Sequence, residues 1–461
     1  MKKYLLILAI LLTGLLIFPI TIYGQNTNKS QTGKNKKGPG TNEPKESKYI
    51  DIKDFYDPSS PTAGFQEAVD FLKPGGGMIF VSPGIYKIRK SIVLFSGIYI
   101  IGSGEYSVIE RMDSCSQIKL LSDGKEGDKE ITVGDTKGFF KGGEVTVFSN
   151  PFAGFNSTNA TIAEVKEKSL VLDKPLRKNY LTENSGRVMN FFCTFTATRA
   201  ENIRIENLVI DGKMKPGSDF RGDFIFSAIH FVHVHNIIMD KVIIRRYPGD
   251  GFSVQGGSNA SITNCLAEYN LGNGFHPGTT LTGSTWTQNT GRYNGGDGLF
   301  FCYNVRYATV SDNHFFNNKG HGIGDLGKGG VDGDQMNVVS GNFCYNNGMS
   351  GIQCTPGGNN VITNNVCENN SQSEPGKWAG IHLKDTHSSI IQGNRCSVSK
   401  PSPEESRQNH GIFLTGKCEN NLITGNILSG YSVGIAGDDL ELNTIDKNIL
   451  LEKHRPDPPK E

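Results

Sequence analysis

Asp250, His276, Asp297 and His321 sit in short glycine-opened segments that recur through the middle of the chain, reading DGF, GFH, DGL and HGI. Carboxyl and imidazole groups in such a repeat can move protons. One group protonates a leaving oxygen while another activates water or takes a proton from carbon. Asp250 and Asp297 occupy the same position of the repeat, two repeats apart. Stacked strands lie about 4.8 Å apart, which puts the two carboxyls roughly 9–10 Å from one another. That is the upper edge of the separation of about 6.5–9.5 Å used for inverting glycoside hydrolysis. Asp-Gly is also turn chemistry, and the PGDG and GGDG contexts fit that reading as well.

The repeat itself dictates what must position these groups. Gly251, Gly274, Gly298 and Gly322 are followed by Gly351, Gly380, Gly411 and Gly434, with separations of 23, 24, 24, 29, 29, 31 and 23 residues. Ala228 opens an equivalent segment 23 residues before Gly251. A second column, Asn289, Asn313, Asn342, Asn365, Asn394, Asn426 and Asn448, runs in a shifted phase. A fixed period of this length marks a solenoid, and its segments are too short for amphipathic helices. The expected fold is all-β, a right-handed parallel β-helix in which stacked Asn side chains bond from coil to coil.

Alternation along each strand sorts the side chains. One residue past the glycine come Phe252, Phe275, Leu299, Ile323 and Ile352, which should face inward. Two past it come His230 (counted from Ala228), Ser253, His276, Phe300, Gly324, Gln353, His382 and Phe413, an outward lane. The residue before the glycine gives a second lane of Asp250, Asn273, Asp297, His321 and Ser350. A Phe among outward polar groups suits stacking against a sugar ring. Arg245, Arg246, Arg292, Lys319 and Lys384 could neutralise an anionic substrate, although any one of them also reads as a solvated surface charge.

Lys2 and Lys3 precede an apolar run, so residues 1–24 read as a secretory signal peptide, with an uncleaved anchor as the alternative. Residues 25–47 are polar, basic and Gly/Pro-bearing, as a disordered linker is. Residues 48–126 should hold a cap and the first coils, with a short amphipathic helix over Thr62–Leu72 whose Phe65, Val69 and Leu72 cover the solenoid end. From 127 to 188 the period is lost and alternating segments read as a small β insertion. The repeats then run over 189–451, and 452–461 is a charged, Pro-rich tail. A net charge of +1 carries no nucleic-acid footprint, and no membrane span beyond the signal peptide is expected.

The chain has nine cysteines. Cys344, Cys367 and Cys396 each follow a ladder Asn by two, and Cys265 takes a ladder position, so stacked core thiols are favoured over a disulfide framework. No pair has zinc-site spacing. The longer coil between Gly322 and Gly351 carries Asp332 and Asp334, weak candidates for Ca²⁺. No other cofactor is expected.

The segment GGGMIFVSPGIYKI after a helix resembles the N-terminal cap of the pectate-lyase superfamily, whose members include lyases, hydrolases, epimerases and non-enzymatic proteins. The successive segments GNGFHPG, GGDGLFF and GHGIGDLG are similar to motifs of polygalacturonase-type glycoside hydrolases. That resemblance implies a catalytic carboxylate at Asp297 and a motif histidine at His321, with Asn273 and Gly296 standing where the family has Asp. Lys384 in IHLKD resembles the family's basic motif, one coil late. GNGFHPG also resembles the GFDPH motif of alginate C5-epimerases, with His276 in place of Asp and Gly278 in place of His. The expectation is an exported enzyme that cleaves an acidic polysaccharide by hydrolysis or β-elimination. Catalytic candidates are Asp297, His276, His321 and Asp250, and substrate contacts come from His230, Ser253, Asn273, Phe300, His382 and the five cations. The alternatives are a C5-epimerase with His276 as base, or a non-catalytic glycan-binding or adhesive β-helix. A Ser-His-Asp nucleophile is disfavoured, since Ser253 has no elbow motif.

Overall fold

The computed structural model describes residues 48–451 except 74, 113–116, 151–155, 216–223, 330–335 and 400–407. The signal peptide, linker and tail assignments, and Asp332 and Asp334, lie outside the described residues.

Each coil contributes three short strands to three parallel faces. The first face stacks Phe252–Thr263, Phe275–Gly278, Leu299–Phe300, Ile323–Leu326, Ile352–Cys354, Ile381–Lys384, Ile412–Thr415 and Ile435–Gly437. The second runs from the far end of Phe252–Thr263 through Thr285–Thr287 and Thr309–Ser311 to Thr444–Asp446. The third includes Leu266–Glu268, Thr290–Arg292, His314–Phe316 and Phe343–Tyr345, and ends at Ile449–Leu451.

Phe252, Phe275, Leu299, Ile323, Ile352, Ile381 and Ile412 stack in register and are fully buried. Each such side chain contributes roughly 1.5–3 kcal/mol on leaving water. The recurrent glycine follows from close stacking. A Cβ on Gly274, Gly298 or Gly322 would stand 2.6–2.7 Å from the carbonyl oxygen of the matching glycine one coil on. Cys344, Cys367 and Cys396 form one buried column, and the eight described cysteines are all free thiols.

The Asn column is a hydrogen-bonded ladder. Asn342 N donates to Asn365 Oδ1 at 2.9 Å, and Asn342 Nδ2 donates to the same oxygen and to Val310 O. Cys265 joins it by donating its N–H to Asn289 Oδ1. Two more ladders run beside it: Asn270, Asn294, Asn318, Asn347 and Asn370, ending on Gln408, and Asn337, Asn360, Ser389, Asn421 and Asn443. These buried turns have little freedom to pair otherwise, so side-chain amides satisfy their N–H groups.

The helix is shorter than the sequence pattern suggests, spanning Phe65–Phe71. Ala63 and Gly64 have φ of 52° and 89°, left-handed values that no helix interior contains. Phe65, Val69 and Leu72 are buried at the solenoid end as expected. A six-stranded antiparallel sheet runs from Gln117–Lys119 to Arg187–Asn190, so it begins upstream of residue 127. Val133, Val147, Leu170 and Val188 lie in its separate core.

Candidate functional site

The lane before the glycines is a polar ladder on the first face. Asp250 Oδ1 accepts the Asn273 N–H at 2.6 Å, Asn273 Oδ1 accepts the Asp297 N–H at 2.8 Å, and Asp297 Oδ1 accepts the His321 N–H at 2.6 Å. His321 Nδ1 then accepts the Ser350 N–H at 3.0 Å. Each side chain fills the space over the next coil, which explains a second column of glycines. A Cβ on Gly272, Gly296 or Gly320 would stand 2.0–2.3 Å from the oxygen of Asp250, Asn273 or Asp297. Gly296 therefore cannot be replaced by the second aspartate of the polygalacturonase motif without moving Asn273. Gly278, likewise, is closed by the Gln255 amide.

Asp297 is buried, with Oδ2 lying over Gly324. Burial, together with the charges of Asp325 and Asp250, raises its carboxyl to about 8, against the pull of the His321 N–H and Lys328. It is a protonated acid at neutral pH. Asp325 is brought to this face by a register shift between Ile323 and Leu326, where Asp325 has φ 55°. Such bulges re-aim a side chain out of the regular alternation. Lys328 Nζ bonds Asp325 Oδ2 at 2.7 Å and lies 4.9 Å above the ring of half-buried Phe300.

His276 is buried, and its Nδ1 lies 2.7 Å from Asp250 Oδ2. Burial alone would discharge the ring. The bond to Asp250 and the neighbouring Cys302 thiol overcome it and raise His276 to about 9. It is thus a cation at neutral pH and no free base. Both Asp250 oxygens are occupied, by Asn273 N–H and His276, so Asp250 is not the open second carboxylate that its lane position suggested.

His321 behaves differently. Its Nδ1 accepts a backbone N–H, and burial pushes the ring down to about 3, leaving it neutral. Trp378 meets it edge-on at 5.1 Å and also faces His382 at 5.7 Å. His382 Nε2 bonds Thr415 Oγ1, and burial next to Lys384 lowers it to about 4. His230 is lowered to about 4 by burial and by His276. It lines a cavity of about 230 Å³ with Glu144, Phe191, Phe192, Cys193 and Ile225, where the antiparallel sheet meets the coils. That cavity adjoins the lane at one end and lies away from Asp297.

Not all of the expected substrate contacts converge. Arg245 and Arg246 both pair with Asp211, and Arg292 pairs with Glu268. All three belong to the third face, because the strands Ile243–Arg245 and Thr290–Arg292 stack there. Lys319 is exposed at a turn. Ser253 is fully buried and accepts from Gln255 Nε2, so it is closed to a substrate. Lys384 is exposed at the end of its strand, beside His382. The sequence reading missed Asp325, Lys328, Trp378 and Cys302. Asp325 lay within the quoted GHGIGDLG segment, but strict alternation gave it no outward lane.

Among the described residues no cluster of three or more His, Cys, Asp or Glu could hold a metal ion, and no helix is long and apolar enough to cross a membrane.

Comparison with known proteins matches the fold. The family described as right handed beta helix region matches residues 179–335, and the one described as periplasmic copper-binding protein (NosD) matches residues 330–455. No curated protein matches the chain significantly. The A-module of an Azotobacter vinelandii mannuronan C-5 epimerase is similar with a TM-score of 0.56 at 14% identity, covering 88% of this chain and 100% of that one. A hyperthermoactive exopolygalacturonase from Thermotoga maritima gives 0.53 at 14% identity, over 88% of this chain and 92% of that one. With three stacked parallel faces, inward aliphatic columns and these likenesses, the chain has the right-handed parallel β-helix fold.

Proposed function

We propose that this chain cleaves a glycosidic bond in an acidic polysaccharide by hydrolysis, with Asp297 as general acid and Asp325 as the second carboxylate. One observation carries the reading: Asp297 is a buried carboxyl that keeps its proton up to about 8, next to a second carboxylate aimed at the same face by a bulge. Environments that separate the behaviour of two neighbouring carboxyls assign acid and base between them. Asp297 gives its proton to the leaving glycosidic oxygen as the C–O bond breaks. Water attacks the anomeric carbon and gives its proton to Asp325, which is ion-paired with Lys328. Phe300 offers a ring face, and Lys328 above it suits an anionic sugar. The likeness to polysaccharide-acting β-helix proteins supports a carbohydrate substrate. The apolar N-terminal run, with the periplasmic description of one matching family, supports an exported location.

Elimination and C5-epimerisation both begin by taking a proton from carbon. His276 is already charged, and His321 Nδ1 is engaged by Ser350, so neither offers a free base. The copper named in one family description does not fit the described residues. Cys344, Cys367 and Cys396 are sealed in the core, and His382 is bonded to Thr415. A non-catalytic glycan-binding role draws on a different observation, since the Asp-Asn-Asp-His ladder would serve the coils without any turnover.

Incubation with a panel of uronate and neutral polysaccharides tests these readings. Reducing ends without an unsaturated product support hydrolysis, and their loss in both Asp297→Asn and Asp325→Asn supports the assignment. Unsaturated product would overturn hydrolysis, and binding without turnover would favour the binding module.

A further inference from the structure

The hydrolytic reading leaves a second group of reactive side chains in the same groove unused. Cys302 is half-buried and follows Phe300 by two, so both face outward from the coil that covers His276. Its backbone N–H bonds Pro277 O at 2.9 Å, which fixes it diagonally across from His276. Thr279 Oγ1 lies 3.4 Å from its sulfur, and the Tyr303 N–H also points at it.

The histidine is prepared for such a neighbour. Asp250 holds Nδ1 at 2.7 Å, which leaves Nε2 as the ring nitrogen open to a second partner. His276 is 98% buried by its 2% exposure, and Nε2 has no hydrogen-bond partner of ordinary geometry among the described residues. A buried ring nitrogen left unpaired is costly, and the Cys302 thiol acts on the charge of this ring. Phe300 meets the ring edge-on at 4.9 Å and Phe224 does so at 6.0 Å.

We propose that Cys302, His276 and Asp250 form a thiol nucleophile, general acid–base and orienting carboxylate for hydrolysis of an ester-linked acyl group. The extension to acyl groups carried by a saccharide rests on the groove being a saccharide site. The acyl chemistry itself does not. In the first half, Cys302 Sγ attacks the carbonyl carbon and His276 Nε2 gives its proton to the departing alkoxide, leaving a thioester. In the second, His276 takes a proton from water, hydroxide adds to the thioester carbonyl, and the carboxylic acid and thiolate separate. No oxidant, reductant or metal is required.

The electrostatics agree with this geometry. Burial would raise the Cys302 thiol, but the His276 imidazolium and the Thr279 and Tyr303 donors bring it down to about 7. The titratable groups that face His276 are Asp250, His230 and Cys302. Of the other described cysteines, Cys193, Cys265, Cys354, Cys367, Cys396 and Cys418 are all buried and shifted the opposite way.

The test uses p-nitrophenyl acetate, a probe that needs no saccharide recognition. The native chain should release p-nitrophenolate, and an acid-quenched digest should carry one acetyl group on the Cys302 peptide. Cys302→Ser and Cys302→Ala should each lose about a hundredfold or more in rate, while melting unchanged and keeping any glycosidic cleavage. Asp250→Asn, a positioning change, should move the pH profile of Cys302 alkylation upward. Two results would overturn the proposal: no acetyl group on Cys302, or alkylation of Cys302 at pH 7 no faster than that of free cysteine. Failure of glycosidic cleavage in the native chain would count against the hydrolase reading alone.

Discussion

The Asp297 carboxyl occupies the space that any side chain at position 324 would need. A Cβ on Gly324 would stand 2.0 Å from Asp297 Oδ2 and 3.2 Å from His321 Cδ2. Outward-lane positions on neighbouring coils carry Phe300 and Gln353, so this glycine marks a local demand of the acid.

Gly324→Ala should therefore displace the acid. Misplacement by about 1 Å commonly costs about 10²-fold in turnover. Cleavage by the variant should fall by that order while its coils remain folded, as near-native circular dichroism would show. Full activity would mean that Asp297 is not positioned by this contact.

Asp297→Asn keeps the shape and the acceptor for His321 N–H but removes the proton. Turnover should fall by about 10² or more. In the native chain kcat/KM should decline above pH about 8, where Asp297 loses its proton. A flat alkaline limb would separate Asp297 from proton donation.

The same residue makes a prediction for stability. Its folded value, about 8, lies above its ordinary 3.8, so the folded chain holds this proton more tightly. The corresponding stability is complete below pH 3.8 and is lost as pH rises toward 8. Each unit of difference corresponds to roughly 1.4 kcal/mol at most. Asp297→Asn should match the native denaturant midpoint in acid and exceed it at pH 8. His276 titrates in both chains, so the difference isolates Asp297. Parallel midpoints over the whole range would refute the burial of an ionised form.

Asn342→Ala deletes the acceptor for Asn313 on the preceding coil and three donor bonds, to Val310 O, Ser340 O and Asn365 Oδ1, in a buried turn. A loss of about 1–3 kcal/mol is expected. A denaturant midpoint for Asn342→Ala equal to that of the native chain would show that the ladder contributes nothing.

The sequence carries the fold so openly because stacking is a one-dimensional constraint. Gly251 through Gly434 must be small at the same place in each coil, and Phe252, Phe275 and Leu299 must be apolar beside them. The site is less open. Asp250 and Asp297 look equivalent in lane and motif, yet one is consumed by His276 while the other is left as an acid. Asp325 reaches the groove only through a bulge, and Cys302 matters only through a diagonal contact with the preceding coil. Arg245, Arg246 and Arg292 were attractive as charges, but they lie on another face with carboxylate partners of their own. Two of the three Asn ladders were not read from the sequence, although from Asn270 to Asn370 they repeat at the same coil lengths as the first.

The ladders have a direction. Asn289 donates its backbone N–H forward to Asn313, Asn313 to Asn342 and Asn342 to Asn365, so each buried turn is completed by the coil made after it. The acidic lane runs the other way, with Asp250 and Asp297 receiving N–H groups from the following coil. While the coils from Asp250 to His321 emerge, the chain thus carries one turn with an orphan donor and one side-chain acceptor awaiting its donor. Both vacancies are filled by the same next coil, which gives the nascent end a thermodynamic pull toward its own continuation and leaves a prematurely stopped chain with an open rung.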